Sequence, residues 1–301
     1  MAGGTPSLLG PKAIETILKW IQPPSDIEIT LEANPENVSK ALFEDYRSIG
    51  VNRVSLGVQS LDSQLLQILD RRHAAEIALQ AISDLSKAGL ENISIDLMYD
   101  IPDQTLESWK NTLRIVQSLP ITHFSLYNLT IEPHTVFFKY RKTLQERVPK
   151  AEESLKMYLE ARNLGFEQYE ISAFSRKAKR SQHNSGYWTG RPFWGLGPSA
   201  FSFWEGKRFR NVANLNRYYK ALELGESPID FEESLSKEDL EKELLVIGLR
   251  LCEGVDLSKF SVDRVKIDKL IEEGLLQQDR QRLRLTQKGM LFYDSVAVEL
   301  I

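Results

Sequence analysis

Val54-Ser55-Leu56-Gly57-Val58-Gln59 sets an apolar side chain at every second position and a small or polar one between. That is the period of a strand with two unlike faces. Three other segments repeat it. Ile27, Ile29 and Leu31 alternate with Glu28, Thr30 and Glu32; Ile93, Ile95 and Leu97 with Ser94, Asp96 and Met98; Phe124 and Leu126 with His123, Ser125 and Tyr127. Parallel strands covered on both faces normally read as nearly continuous hydrophobic runs. Here one face packs on helices and the other is mostly polar, which suits a lumen or open trough holding a polar ligand. Glu32, Gln59 and Asp96 lie on that polar face toward the carboxyl ends of their strands, where α/β folds bind ligands. Each could instead be a satisfied polar residue at a strand end. Their recurrence on successive strands favours a binding site.

Working outward, the predicted strands at 26–32, 53–59, 93–98 and 123–128 are separated by helical stripes. Ile14, Ile17, Leu18 and Ile21 form the first, ended by Pro23-Pro24. Pro35 starts a second that runs to Ser48 and stops at Gly50. Ile77, Ala81, Ile82 and Leu85 mark a third, ended by Gly89, and Leu106, Trp109, Leu113 and Val116 a fourth over 105–119. Strand and helix in alternation predict parallel βα units. The expected fold class is therefore α/β, an incomplete TIM-like barrel over residues 1–145. Residues 146–232 read as an extension, with a helix at 150–164, a strand at 167–172 and an aromatic-rich run through Trp204. Residues 233–301 read as a small α+β winged-helix-like domain. It has helices at 236–251 and 262–273, two strands about Asp279-Arg280, and a last helix after Gly289. Its second helix mixes Asp263, Asp268, Glu272 and Glu273 with Arg264, Lys266 and Lys269, which suits packing or partner contact better than reading DNA.

The chain of 301 residues has a formal net charge of -4, so nothing in its balance points to nucleic acid. No run of about 18 apolar residues exists to span a membrane. The first residues lack the basic and apolar regions of a secretory signal, and a cytoplasmic location is expected. Cys252 is the only cysteine. One thiol makes neither an intrachain disulfide nor an all-cysteine metal site.

Four segments occur in order: Gly3-Gly4-Thr5-Pro6-Ser7, Leu31-Glu32-Ala33-Asn34-Pro35, Ser55-Leu56-Gly57-Val58-Gln59-Ser60 and Asp96-Leu97-Met98-Tyr99-Asp100-Ile101-Pro102. Together they resemble the radical S-adenosylmethionine (SAM) proteins related to oxygen-independent coproporphyrinogen III oxidase, in particular the HemW-type haem chaperones. The resemblance implies a six-stranded barrel of which this chain supplies strands three to six. It also implies roles in SAM binding. Gly3, Gly4 and Thr5 would bring bare backbone to the amino end of SAM. Glu32 and Asp96 would accept hydrogen bonds from it, Gln59 would bind it through its amide, and Arg71 would pair with its carboxylate. On the residues alone, Gly3-Gly4 also reads as a plain loop and Arg71 as a solvated cap.

His183-Asn184-Ser185-Gly186-Tyr187-Trp188 is similar to the HNxxYW motif of the HemW-type branch, where the histidine is implicated in binding haem. Imidazole is a common axial ligand of haem iron, and nearby Phe193, Trp194, Phe201, Phe203 and Trp204 could floor an apolar pocket. The alternative is a structural histidine in an aromatic core. The family also carries a CxxxCxxC motif for a [4Fe–4S] cluster, and this sequence does not contain it. The expected function is a haem chaperone-like protein that passes haem or porphyrin to an acceptor protein, with SAM and haem as ligands and no cluster of its own. Alternatives are an N-terminally truncated coproporphyrinogen III oxidase and a cluster-free partner-binding scaffold. Lacking two strands, the barrel is expected to expose the 26–32 edge, which a second copy of the chain would cover as a homodimer.

Overall fold

The alternating segments become strands whose apolar faces are sealed. In the computed structural model, which describes residues 1–133 and 135–301, the chain forms two units, Met1–Arg180 and Ser181–Ile301. In chain order the first contains α1 (Pro11–Ile21), β1 (Thr30–Ala33), α2 (Lys40–Ser48), β2 (Arg53–Gln59), α3 (Ser63–Ile68), α4 (Ala75–Lys87), β3 (Asn92–Tyr99), α5 (Leu106–Ser118) and β4 (His123–Asn128). Then follow α6 (Val136–Lys139), α7 (Arg141–Gln145), α8 (Ala151–Arg162), β5 (Glu167–Glu170) and β6 (Ala173–Ser175). The sheet order is β1-β2-β3-β4-β6-β5. Strands β1 to β4 are parallel, and β6 and β5 return antiparallel. The sheet is open, an incomplete barrel as expected.

Leu31, Val54, Leu56, Val58, Ile93, Ile95, Leu97, Phe124 and Leu126 are almost wholly buried beneath helix residues such as Phe43, Ile82, Leu85 and Trp109. Each such side chain contributes about 1.5–3 kcal/mol. Phe124 stacks on Phe174 at 4.5 Å, which joins the parallel strands to the returning hairpin.

Several boundaries differ from the sequence reading. β1 starts at Thr30, because the Asn52 side chain accepts from the Ile29 N–H and donates to the Ile27 carbonyl, replacing ladder bonds there. The outer edge of β1 is partly paired: the Glu32 N–H donates to the Met1 carbonyl at 3.1 Å. The helix expected from Pro35 is broken. Pro35–Asn37 is a single 3₁₀ turn, Val38 is extended, and the Ser39 hydroxyl caps α2 by accepting from the Leu42 N–H. Ile77 is exposed, while Ala75, Ala78, Ala81, Ile82 and Leu85 form the buried face of α4.

The polar side of the sheet is ordered by hydrogen bonds. His123, fully buried, meets the Ser94 hydroxyl through Nδ1 at 2.7 Å and the Tyr169 hydroxyl through Nε2 at 2.9 Å. Burial, helped by Arg53, pulls its pKa down to about 3. The unfolded imidazole titrates near its ordinary value of 6.5. Its contribution to stability is therefore complete above pH 6.5 and declines as pH falls toward 3, because protons then favour the unfolded chain. His123→Asn is expected to flatten that decline in thermal melts taken between pH 7.5 and 4.5. An unchanged difference between the two proteins across that range would falsify this account.

The second unit contains α9 (Gln182–Trp188), β7 (Phe201–Trp204), β8 (Lys207–Asn211), α10 (Leu215–Glu223), β9 (Ile229–Ser234), α11 (Lys237–Gly248), β10 (Val255–Asp256), α12 (Arg264–Glu272), β11 (Leu276–Asp279), β12 (Arg282–Leu285), α13 (Gln287–Leu291) and α14 (Tyr293–Leu300). Strands β7-β8-β9 form one antiparallel sheet and β10-β12-β11 another. The expected wing thus gains β10 as a third strand. Gly289 lies inside α13 and does not precede it. Thr286 caps that helix, and a Cβ at Gly289 would meet the Leu275 carbonyl oxygen at 1.9 Å, so close approach explains this glycine. No helix among the described residues is long and apolar enough to cross a membrane.

Candidate functional site

Parallel register puts polar side chains in rows. Glu32 lies opposite Ser55, Ser55 opposite Ser94, and Ser94 opposite His123, while Asp96 lies one step further along, opposite Ser125. Asp96 accepts hydrogen bonds from the Ser125 and Ser55 hydroxyls. Burial nevertheless pushes its pKa up to about 6, with the Glu32 carboxylate adding repulsion. Burial also raises Glu32, against the Met1 amino group and a hydrogen bond donated by the Gly3 N–H. Two carboxylates held above their ordinary range in one trough are poised to receive a cationic, hydrogen-bond-donating ligand.

Gln59 reaches the same trough by an irregular route. The β2–β3 register shifts between Leu56 and Gln59, and Gln59 adopts a positive φ of 66°. Its side chain folds back over Gly57, where a Cβ would lie 3.2 Å from both the Gln59 Nε2 and the Asn34 Oδ1. Gly57 is thus the gap that admits both amides. The Asn34 amide donates to the Thr5 hydroxyl at 3.1 Å, and the Tyr46 hydroxyl donates to the Ser7 carbonyl at 2.8 Å. These two bonds hold the Gly3-Gly4-Thr5 turn against the end of β1. Gly3 and Gly4 have φ of 86° and 85° with open space around them, so backbone conformation sets their identity.

Among the expected ligand residues, Gly3, Thr5, Glu32, Gln59 and Asp96 are therefore brought together by direct contact or shared register, with Gly4 in the same turn. Arg71 is not tied to them: it is exposed after α3, and its guanidinium makes no hydrogen bond or ion pair among the described residues. Asn34, Ser55 and Ser125 were missed in the sequence. The alternation signals Ser55 and Ser125 as trough residues, but nothing local marks them as partners of Asp96.

In the second unit, Ser181 caps α9 by accepting from the Asn184 N–H. Helical spacing places His183 and Tyr187 one turn apart. The Tyr187 hydroxyl lies 2.9 Å from His183 Nε2, and the rings meet edge-on at 4.8 Å. His183 is exposed, so it is not the core histidine of the alternative reading. Trp188 is covered by the Arg250 guanidinium at 4.4 Å. Gly186 is buried against Arg191, whose Nη2 lies 2.4 Å from the place a Cβ would take. The motif's residues thus divide the labour: His183 faces solvent, Tyr187 orients it, and Gly186 and Trp188 fix the helix in place.

Residues 1–116 match the family model described as the radical SAM superfamily, and residues 235–292 match the HemN C-terminal domain. Similar curated proteins include the "Heme chaperone HemW" of Lactococcus lactis, 35% identical over 96% of this chain and 80% of that protein. Those of Bacillus subtilis and Escherichia coli are each 32% identical over 98% of this chain, and over 83% and 82% of their own lengths. Among solved structures, the coproporphyrinogen III oxidase HemN of Escherichia coli superposes with a TM-score of 0.84 at 22% identity, over 99% of this chain and 76% of that one. That likeness establishes the fold.

Proposed function

Because the chain belongs to the HemW haem-chaperone family within the radical SAM superfamily, we propose that it binds haem through His183 and passes it to an acceptor protein. The observation that carries this reading is the exposed imidazole on α9, held in orientation by the Tyr187 hydroxyl. A histidine fixed by a second hydrogen-bonding group is a prepared axial ligand for haem iron. Exposure serves a chaperone, since the ligand must also leave.

Work is divided along the chain in this proposal. Residues 1–145 hold SAM, residues 146–232 carry the haem site, and residues 233–301 contact the acceptor. The trough fits SAM on its own donors and acceptors: the Gly3-Gly4-Thr5 backbone, the Glu32 and Asp96 carboxylates and the Gln59 amide. Arg71, which stands apart from them, would have to swing in to meet the carboxylate end. A [4Fe–4S] cluster does not fit the residues present. Cys252 is a single thiol in the second unit, and among the described residues no group of three or more His, Cys, Asp or Glu could hold a metal ion. Bound haem would supply an iron centre for axial ligation, and bound SAM an adenosyl and methionyl group; the chain's own residues orient both.

His183→Ala is expected to weaken haem binding by about tenfold or more, read from the Soret band during titration of the purified chain. Tyr187→Phe keeps the ligand and loses only its orienting bond, so it should retain most of the affinity with a shifted band. If His183→Ala binds haem as tightly as the parent, the proposal fails.

A further inference from the structure

The β7–β8–β9 sheet has two dissimilar faces. Opposed residues of antiparallel strands share a face, so Phe193, Phe203, Phe201, Arg210 and Phe231 stand together through the pairs Phe193–Phe203, Phe201–Arg210 and Arg210–Phe231. Trp194, Trp204 and Phe209 form a separate group on the other face, where the Trp194 ring centroid lies 5.4 Å from that of the buried Phe209 and 5.8 Å from that of Trp204. The aromatics that seem one cluster in the sequence are therefore two.

On the first face, Phe201 is 47% exposed and Phe231 40%. The Arg210 guanidinium lies between their strands, 5.7 Å from the Phe201 ring centroid and 3.0 Å from Asp230. Both partners of that ion pair are more than a third exposed, so it is weak and a ligand carboxylate can exchange into it. This face is continuous with the histidine. The Phe193 ring lies 4.7 Å from Tyr187, and Tyr187 lies 4.8 Å from His183. The three paired strands, about 4.8 Å apart, make a shallow platform about 10 Å across, and Phe193, Tyr187 and His183 continue it beyond β7.

Exposed rings in a contiguous row mark a surface that is covered in use. A flat apolar ligand with carboxylates on its rim matches two outward Phe rings with a guanidinium between them. We infer that this face of the β7–β8–β9 sheet is the bed for the porphyrin macrocycle, with Phe201 and Phe231 against the ring and Arg210 taking a propionate. Recognition of the macrocycle is then separable from ligation of its iron at His183. The inference rests on the haem reading above, and its test separates the two.

The probe is iron-free protoporphyrin IX, which His183 cannot ligate, titrated by its fluorescence against the full chain. Parent and His183→Ala are expected to bind it within about twofold of each other, while Phe231→Ser and Arg210→Gln each weaken it by about fivefold. The dimethyl ester, which lacks the carboxylates, should bind the parent about fivefold more weakly, with no further loss in Arg210→Gln. Trp204→Ser, on the other face, should bind as the parent does. Thermal melts confirm that each variant is folded, and the ester measurement needs no variant at all. Parent-like binding by both Phe231→Ser and Arg210→Gln, equal binding of acid and ester, or an equal loss in Trp204→Ser overturns the platform. Failure of the haem reading shows differently, as a Soret band indifferent to His183→Ala.

Discussion

Replacing Trp109 by alanine is expected to destabilise the first unit by about 3–5 kcal/mol, the range for removing a large aromatic from a packed core. Trp109 is fully buried on α5, and its indole N–H donates to the Met157 carbonyl of α8 at 2.7 Å. Two costs add. The vacated volume forfeits dispersion contacts with the strands beneath, and α8 loses a buried hydrogen bond from its neighbour. The helix itself should persist, since Thr105 and Ser108 form a capping box at its start and Thr112, Leu113 and Val116 stay buried. Trp109→Phe keeps most of the packing and loses the hydrogen bond, so about 1–2 kcal/mol is expected. Urea unfolding, followed by amide exchange in β2 and β3, reads both variants on the unit that contains them. A loss below about 1 kcal/mol in Trp109→Ala would mean that the site collapses freely, contrary to the dense packing around it.

Trp109 belongs to a part of the fold that was plain in the sequence. Its stripe with Leu106, Leu113 and Val116 has the helical period, and the β2 and β4 limits coincide with the alternation at 53–59 and 123–128. Burial writes itself into periodicity because each buried position excludes polar residues. Hydrogen bonds to distant side chains leave no such trace. Asn52, which displaces the start of β1, and Ser39, which breaks the expected helix at Pro35, act through single contacts that no period reports. The same holds in the trough. Glu32, Gln59 and Asp96 all follow from strand parity, but the register shift and positive φ by which Gln59 folds back over Gly57 leave no trace in it. In the second unit, the β7–β8 hairpin turns at Glu205-Gly206, both at positive φ, a turn signal lost among the surrounding aromatics. His183 was legible from its motif, but its exposure and its bond to Tyr187 required the helix to be seen.

Asp96→Asn should push ligand affinity and stability in opposite directions. The carboxyl has its pKa raised to about 6 by burial, with Glu32 nearby, and its ordinary value is 3.8. Between those values the folded protein holds a proton that the unfolded chain releases. The group's contribution therefore falls as pH rises from 3.8 to 6, and at pH 7.5 the fold holds an unfavourable charge. Asparagine keeps the size and the partnership with Ser55 and Ser125 but removes the charge, so a gain of about 1–2 kcal/mol is expected at pH 7.5 once the partial exposure of the site is allowed for. SAM carries an ammonium and a sulfonium, so the ionised carboxylate is the form that should hold it. Loss of one charged acceptor, worth about 1.5–3 kcal/mol, predicts an affinity lower by about ten- to a hundredfold. The parent's SAM affinity should fall as pH drops through 6, and that of Asp96→Asn should stay nearly flat. Calorimetric titration of SAM at pH 5.5 and 7.5, paired with thermal melts at the same pH values, reads all of this. Equal affinities in the two proteins at both pH values would remove Asp96 from the ligand site, whereas a melting point lowered by the substitution would mean that its hydrogen bonds outweigh the charge it carries. A trough made less stable by its charge, and proposed to bind its ligand through that same charge, is the arrangement expected where function rather than folding selects the residue.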